Sequence, residues 1–207
     1  MSEGLLLNVA ATMARSRSNG PGLRAVVWVQ GCTIGCPGCY NSSTHPHVAE
    51  SLYTPYEVAS WILSINGIDG VTFSGGEPFE QAAAISQTIN FIREKNPEIN
   101  VFIYSGFEFQ TIESSTDDSV KELLKMTDIL SAGPFIAKLK DNSLLWRGSS
   151  NQELRYLTER YNSDMEISWM KDSPFEEYHL HQEQIHFTGF GGPHSNNLKT
   201  IIGDLSL

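Results

Sequence analysis

Four times between residues 24 and 134 a short β-branched or aromatic run stops at a glycine: RAVVWVQ (24–30) before Gly31, GVTFS (70–74) before Gly75, NVFIYSG (100–106) on Gly106 and DILSAG (128–133) on Gly133. Helical patterns separate these runs. In SLYTPYEVASWILSI (51–65), Val58, Ile62 and Ile65 fall at helical spacing behind Thr54 as N-cap, Pro55 in the first turn and Glu57 completing a capping box, which predicts a helix from about 55 to 66. QAAAISQTINFIREKN (81–96), ended by Pro97, predicts a second helix and DSVKELLKM (118–126) a third. Strands joined through helices run parallel, because the crossover returns the chain to the same end of the sheet. The chain is therefore expected to be an α/β protein, a mostly parallel sheet with helices covering it. Ligands collect at the C-terminal edge of such sheets, where every glycine-ended loop named here would lie.

The 207 residues suit a single core and are read as one domain, 1–207, with the repeating part over about 18–155 and a C-terminal extension over 156–207. Beyond about 140 the pattern weakens. LKDNSLLWRGSSNQELRYL reads as a loop entering a short helix, followed by strands at 165–170 and 184–190. A net charge of -10, with only 14 Lys and Arg spread along the chain, argues against a nucleic-acid surface. No apolar run reaches the roughly 20 residues that span a bilayer, and the N-terminus makes a poor signal peptide, so a cytoplasmic protein away from membranes is expected.

All three cysteines, Cys32, Cys36 and Cys39, lie in GCTIGCPGCYNSS (31–43), directly after the first strand. An odd number packed into eight positions does not make a secreted disulfide framework. A structural zinc site wants four ligands, so His45 or His47 would have to complete a Cys3His knuckle. A redox pair, Cys36-Pro37-Gly38-Cys39, would leave Cys32 without a role. Three thiolates also suit a four-iron cluster, holding three irons and leaving the fourth open to a substrate. Gly31, Gly35 and Gly38 keep the loop compact and expose amides that can hydrogen-bond to sulfur.

CxxxCxxC after one strand, then Ser74-Gly75-Gly76-Glu77-Pro78 after the next, resembles the radical S-adenosylmethionine (SAM) superfamily. Asn19-Gly20-Pro21-Gly22-Leu23-Arg24, Val29-Gln30-Gly31-Cys32 and Cys39-Tyr40-Asn41 resemble the activating enzymes of glycyl radical enzymes. Ile103-Tyr104-Ser105-Gly106-Phe107, Gly133-Pro134-Phe135 with Lys140-Asp141, Trp146-Arg147-Gly148-Ser149-Ser150-Asn151-Gln152 and Thr188-Gly189-Phe190 are similar to the small activases of anaerobic ribonucleoside-triphosphate reductase. Two positions depart from that pattern: Asn19 and Ala132 stand where those families commonly carry Asp.

The resemblance implies a partial (β/α) barrel of the radical SAM type, a 4Fe-4S cluster on Cys32, Cys36 and Cys39, and SAM as second cofactor. It implies reductive cleavage of SAM to a 5′-deoxyadenosyl radical, no catalytic side chain beyond the cluster and SAM, and installation of a glycyl radical on a partner enzyme such as anaerobic ribonucleotide reductase. Gly75 and Gly76 would admit the methionyl part of SAM, with carbonyls of the turn or the Glu77 carboxylate facing its ammonium group. Ser74, Tyr40, Asn41 and Ser105 complete the expected SAM contacts, Tyr40-Asn41 toward adenine and the Tyr104-Ser105-Gly106 stretch toward ribose or carboxylate. A flavodoxin-type or other one-electron donor is the remaining expected partner. Arg147 is a candidate contact to the partner or to an acidic group of SAM. His179 and His181 in HLHQEQIH would share a strand face with no third ligand, and with His186 they are read as solvated strand residues. The other readings are a stand-alone radical SAM enzyme acting on a peptide or small metabolite, and a non-catalytic iron–sulfur or zinc module.

Overall fold

A computed structural model describes residues 4–181 and 184–190. Among these residues nine strands and five α-helices run in the order β1 (Leu7–Ser16), β2 (Arg24–Val29), β3 (Ser51–Tyr53), α1 (Pro55–Ser64), β4 (Gly70–Gly75), α2 (Ala82–Lys95), β5 (Asn100–Ser105), α3 (Phe109–Glu113), α4 (Asp118–Met126), β6 (Ile129–Ala132), β7 (Glu153–Tyr156), α5 (Glu166–Asp172), β8 (Glu176–His181) and β9 (Gln184–Gly189). Seven strands form one sheet in the order β3-β1-β2-β4-β5-β6-β7. Its centre, β2, β4, β5 and β6, is parallel, and β1, β3 and β7 join antiparallel. β3 and β7 remain separate edges, so the sheet is an open partial barrel. The register sets Val29 beside Gly75 and Ser105 beside Ala132, which aligns the four glycine-ended loops along one edge.

Alternation sends neighbouring residues of each parallel strand to opposite faces. Val27, Val29, Val71, Phe73, Val101, Ile103 and Leu130 pack under Val58 and Ile62 of α1, Ile85, Ile89 and Ile92 of α2, and Leu123 of α4. Phe102 and Ile129 face the other way and pack with Leu145 and Trp146, flanked by Tyr104, Tyr156 and Trp169. Burial on both faces explains why these strands read as unbroken apolar runs. Arg24 interrupts that second face. It is 0% exposed, and its guanidinium donates to Thr72 Oγ1 (2.7 Å), Asn100 Oδ1 (2.7 Å), Pro21 O (2.5 Å) and Val71 O (2.9 Å). Burial lowers its pKa to about 10, which still leaves it charged at neutral pH.

The hairpin of β8 and β9 is fastened to the loop after β1. Glu177 Oε2 accepts from Ser16 Oγ (2.5 Å), Arg17 N (2.9 Å), Ser18 N (3.0 Å) and Ser18 Oγ (3.0 Å). Burial raises the Glu177 pKa, but these donors outweigh it and leave the carboxyl below its ordinary value. Asn19 Nδ2 donates to Thr188 Oγ1 at 2.8 Å. That amide also donates to Ser16 Oγ (2.8 Å), a bond an Asp side chain would lack a proton to make, so Asn suits this junction.

The strands predicted at 24–30, 70–74, 100–106, 128–133 and 184–190, and the helices at 55–66, 81–96 and 118–126, are all present within a few residues. Three expectations are corrected. The short helix expected to close LKDNSLLWRGSSNQELRYL is strand β7, because pairing with the end of the sheet outweighs a weak local preference. The strand expected at 165–170 is α5. Met165, Ile167 and Trp169 alternate with polar neighbours and imitate a strand, but Asn162 Oδ1 accepts from Asp164 N (3.1 Å) and starts a helical turn there. Leu7–Ser16, where no strand was expected, is the longest of the described strands, and its side chains are buried mainly in its first residues. Among the described residues no helix is long and apolar enough to cross a membrane.

Because one carboxylate gathers four donors, Glu177→Ala is expected to accelerate amide hydrogen exchange of 176–181 and 184–190 by at least about tenfold, corresponding to loss of about 1.4 kcal/mol, while β4 and β5 keep their protection. Equal acceleration across the sheet would show that the hairpin does not open independently.

Candidate functional site

Strand β2 delivers the chain into the cysteine loop, which returns along it: Gly31 N donates to Thr44 O (2.8 Å) and Cys32 N to His45 O (3.0 Å). Gly31, Gly35 and Gly38 have φ of 101°, 59° and 78°, a left-handed backbone that explains three glycines in eight residues. The cysteines are free and half-buried. Burial pushes the Cys32 and Cys39 thiols up, while the amides of Gly35 and Ile34 point at the Cys32 sulfur and that of Asn41 at the Cys39 sulfur (3.4 Å). These are donors of the kind that stabilise thiolate and cluster sulfur.

Among the described residues no group of three or more His, Cys, Asp or Glu is placed to hold one metal ion, and His47 turns away to Glu80 (2.9 Å). That geometry does not support a Cys3His zinc site completed by His47. A cluster takes each thiolate on a different iron, so the donor set and its spread fit a 4Fe-4S group.

The Ser74–Pro78 turn is stitched to the start of this loop. Gly76 N donates to Val29 O (2.8 Å) and Glu77 N to Gly31 O (2.8 Å). A Cβ on Gly76 would stand 2.1 Å from the Gly31 carbonyl oxygen, and Gly75 has φ 96°. Gly76 is thus required by the approach of two backbones, whatever a ligand needs there. Glu77 is 0% exposed and turned toward the end of β5, where Oε1 accepts from Phe79 N (3.0 Å) and Ser105 Oγ (2.9 Å) and Oε2 from Gly106 N (2.8 Å). Burial pushes its carboxyl up to about 7, against the pull of those three donors. Glu77 and Ser105, two of the side chains expected at SAM, are bonded to each other.

All three cysteines, Tyr40, Asn41 and Ser74–Glu77 line one cleft of about 90 Å³, open to solvent. Ser105 and Gly106 lie on its wall, and so does Tyr104, whose hydroxyl is buried with no hydrogen-bond partner among the described residues. Tyr40 is not tucked under the loop. It is 38% exposed, its ring edge-on to Phe135 (5.3 Å) and Phe190 (5.4 Å), with Lys140 Nζ 5.5 Å from its centroid. Phe135 and Phe190 were not singled out as site residues. Their signal was the repeated glycine-then-aromatic ending of Gly133-Pro134-Phe135 and Gly189-Phe190, which becomes meaningful once the hairpin folds over the sheet.

Gln152 of the RGSSNQ stretch closes that side: its Oε1 accepts from Gly148 N (2.8 Å) and Ser149 N (3.1 Å), and its Nε2 donates to Gly133 O (2.9 Å). Arg147 instead pairs with Glu166 (3.1 Å), away from the cleft, which corrects its candidacy as a SAM contact. His179 pairs in register with His186, and the side chains of His181 and His186 lie outside the described residues.

Gly76→Ala is expected to lower apoprotein stability by about 3 kcal/mol or more, read as a urea midpoint, since two backbones must part. Gly35→Ala, with open space around its Cβ and only a left-handed φ to strain, should cost about 1 kcal/mol. Glu77 supplies a second expectation. Its folded pKa lies above the ordinary 4.5, so its contribution to stability is full below about pH 4.5 and is lost as pH rises through about 7. The stability of the unchanged protein relative to Glu77→Gln should fall across that window, by the order of 3 kcal/mol at about 1.4 per pH unit. A pH-independent difference would show that Glu77 does not titrate there.

Comparisons with known proteins agree with this geometry. A family profile described as "4Fe-4S single cluster domain" matches residues 18–155. The anaerobic ribonucleoside-triphosphate reductase-activating protein of Escherichia coli K12 is 31% identical over 145 residues, 67% of this chain and 92% of that protein. The protein of the same name from Enterobacteria phage T4 is 36% identical over 141 residues, 66% of this chain and 85% of that one. That from Vibrio cholerae is 32% identical over 146, 68% and 92%. Among solved structures, QueE from Escherichia coli aligns with a TM-score of 0.46 at 12% identity over 64% of this chain and 61% of that one, a likeness too partial to bear on function. The chain belongs to the family of anaerobic ribonucleoside-triphosphate reductase-activating proteins, as a radical SAM enzyme whose cofactors are a 4Fe-4S cluster and SAM.

Proposed function

We propose that this protein installs a glycyl radical on a partner enzyme, an anaerobic ribonucleoside-triphosphate reductase. The observation that carries the reading is the union, in one cleft, of three free cysteines with no fourth and the Gly75–Glu77 turn hydrogen-bonded to the loop that bears them. Cys32, Cys36 and Cys39 would hold the cluster. When bound, cluster and SAM supply a 5′-deoxyadenosyl radical by reductive cleavage, and the hydrogen taken is that of a glycine Cα in the partner. An electron for each cleavage comes from a flavodoxin-type or other one-electron donor, in a cytoplasmic, reducing setting.

The chain's residues then have separable tasks. The backbone carbonyls of the Ser74–Glu77 turn are the acceptors for the SAM ammonium group, while Glu77 fixes that turn against β5 instead of touching the ligand. Ser74 and Asn41 offer polar groups at the cleft wall. Tyr40, between Phe135 and Phe190, offers an aromatic surface for adenine and helps to exclude water. Tyr104, in place of Ser105, carries the uncommitted hydroxyl of the third strand end. The open sheet leaves the mouth of the cleft accessible to a loop of the partner, which a closed barrel would obstruct.

Anaerobic reconstitution with iron and sulfide, followed by dithionite and SAM, should release 5′-deoxyadenosine, and Cys36→Ala should abolish it by stripping the cluster of one ligand. With the reductase encoded in the same genome, electron paramagnetic resonance should then show a glycyl radical on that partner. SAM cleavage without any radical on the reductase would overturn the partner, and a well-formed cluster with no cleavage would overturn the enzyme reading.

A further inference from the structure

The three cysteines are not held alike. Cys32 is gripped before, at and after its own position: Gly31 accepts from Glu77 N, Cys32 N donates to His45 O, and Thr33 donates through both N (2.8 Å) and Oγ1 (2.5 Å) to Glu80 Oε1. Glu80 Oε2 faces His47 Nε2 at 2.9 Å. Between residues 34 and 40 the hydrogen bonds are internal to the loop, and among the described residues none ties that stretch to another element. Cys36 and Cys39 therefore sit on a segment held by side-chain packing at Ile34 and Tyr40 and not by hydrogen bonds to other elements, while the backbone on both sides of Cys32 is hydrogen-bonded in place.

Glu80 reaches Thr33 because Pro78–Gln81 forms a single 3-10 turn directly after the Gly75–Glu77 turn, with Glu80 N donating to Glu77 O (3.1 Å). Gln81, next along, donates through Nε2 to Gln30 O (2.9 Å) and Asn8 O (3.1 Å), which locks the turn over the cysteine loop. One short segment thus carries both the SAM-facing backbone and the carboxylate that holds the first cluster ligand.

We infer that Glu80 is a positioning residue for the iron–sulfur cluster: through Thr33 it presets Cys32 as the fixed ligand around which Cys36 and Cys39 close, and its charge biases the cluster toward a more negative potential. Two features of the contact favour this over a simple surface tie. The carboxylate takes the Thr33 amide, the one immediately after the ligand, so movement of Glu80 moves the Cys32 backbone. A fixed anion beside the loop also disfavours adding an electron, and amide donors and local charge are the levers by which proteins set cluster potentials.

This inference rests on the cluster reading above, and the test separates the two. Glu80→Gln keeps an acceptor for Thr33 but removes the charge, whereas Glu80→Ala removes both. In anaerobically reconstituted protein, Glu80→Ala should lose iron to a ferrous chelator about tenfold faster than the unchanged protein. Glu80→Gln should retain iron at near the unchanged rate, with its midpoint potential shifted upward. Thr33→Val, which keeps the amide and removes the hydroxyl, should fall between the unchanged protein and Glu80→Ala in chelator resistance and serves in place of Glu80→Ala if that variant does not fold. Equal iron loss and equal potentials across unchanged and variant proteins that all carry a cluster would overturn the role of Glu80 alone. Failure of the unchanged protein to take up a cluster would overturn the cluster reading and this inference with it.

Discussion

Two hydrogen bonds organise the site: Gly76 N to Val29 O and Glu77 N to Gly31 O. They join the ends of adjacent parallel strands at the point where one becomes the cysteine loop and the other the Gly-Gly-Glu turn. Only a residue without a Cβ can stand at 76, because the Gly31 carbonyl occupies the space a side chain would need. Everything downstream inherits this junction. The register of β2 on β4 fixes where Cys32 starts, and the same turn carries Glu77 to β5 and Glu80 to Thr33.

Glu77 shows how burial changes the meaning of a motif residue. A carboxylate at a cofactor edge invites assignment as a ligand to the ammonium group of SAM. Here it is enclosed, receives three donors and bridges two strand ends, so its energy goes into holding the turn rigid. Desolvation opposes its charge and hydrogen bonding favours it, with desolvation the larger effect. Rigid support of a turn at the cleft wall is a sound use of a buried acid, since precise placement matters more in a site than one more contact.

The aromatic surroundings of Tyr40 were legible only in pieces. Phe135 and Lys140 come from the loop after β6, and Phe190 follows β9, brought over the site by the β8–β9 hairpin that Glu177 and Thr188 fasten to the loop at Ser16–Asn19. Contacts between residues so far apart in the chain leave no local pattern. Arg147 shows the reverse error: a cation in a recognisable stretch looked available, and only the position of α5 revealed Glu166 as its partner.

What the sequence by itself determined was local or periodic. Capping at Thr54, burial of β2, β4, β5 and β6 on both faces, and glycine endings on one edge follow from backbone conformational preference and side-chain alternation, which act within a few residues. The cysteine spacing likewise narrowed the chemistry to soft-metal binding or thiol redox before any fold was known. The tertiary structure decided the rest: that Leu7–Ser16 extends the sheet, that Glu153–Tyr156 pairs as a strand, that Ser105 and Glu77 satisfy each other, and that the backbone at Cys32, unlike that at Cys36 and Cys39, is hydrogen-bonded to neighbouring elements. Those outcomes depend on which donors and acceptors meet across the sheet edge, and sequence spacing carries no record of distances in space.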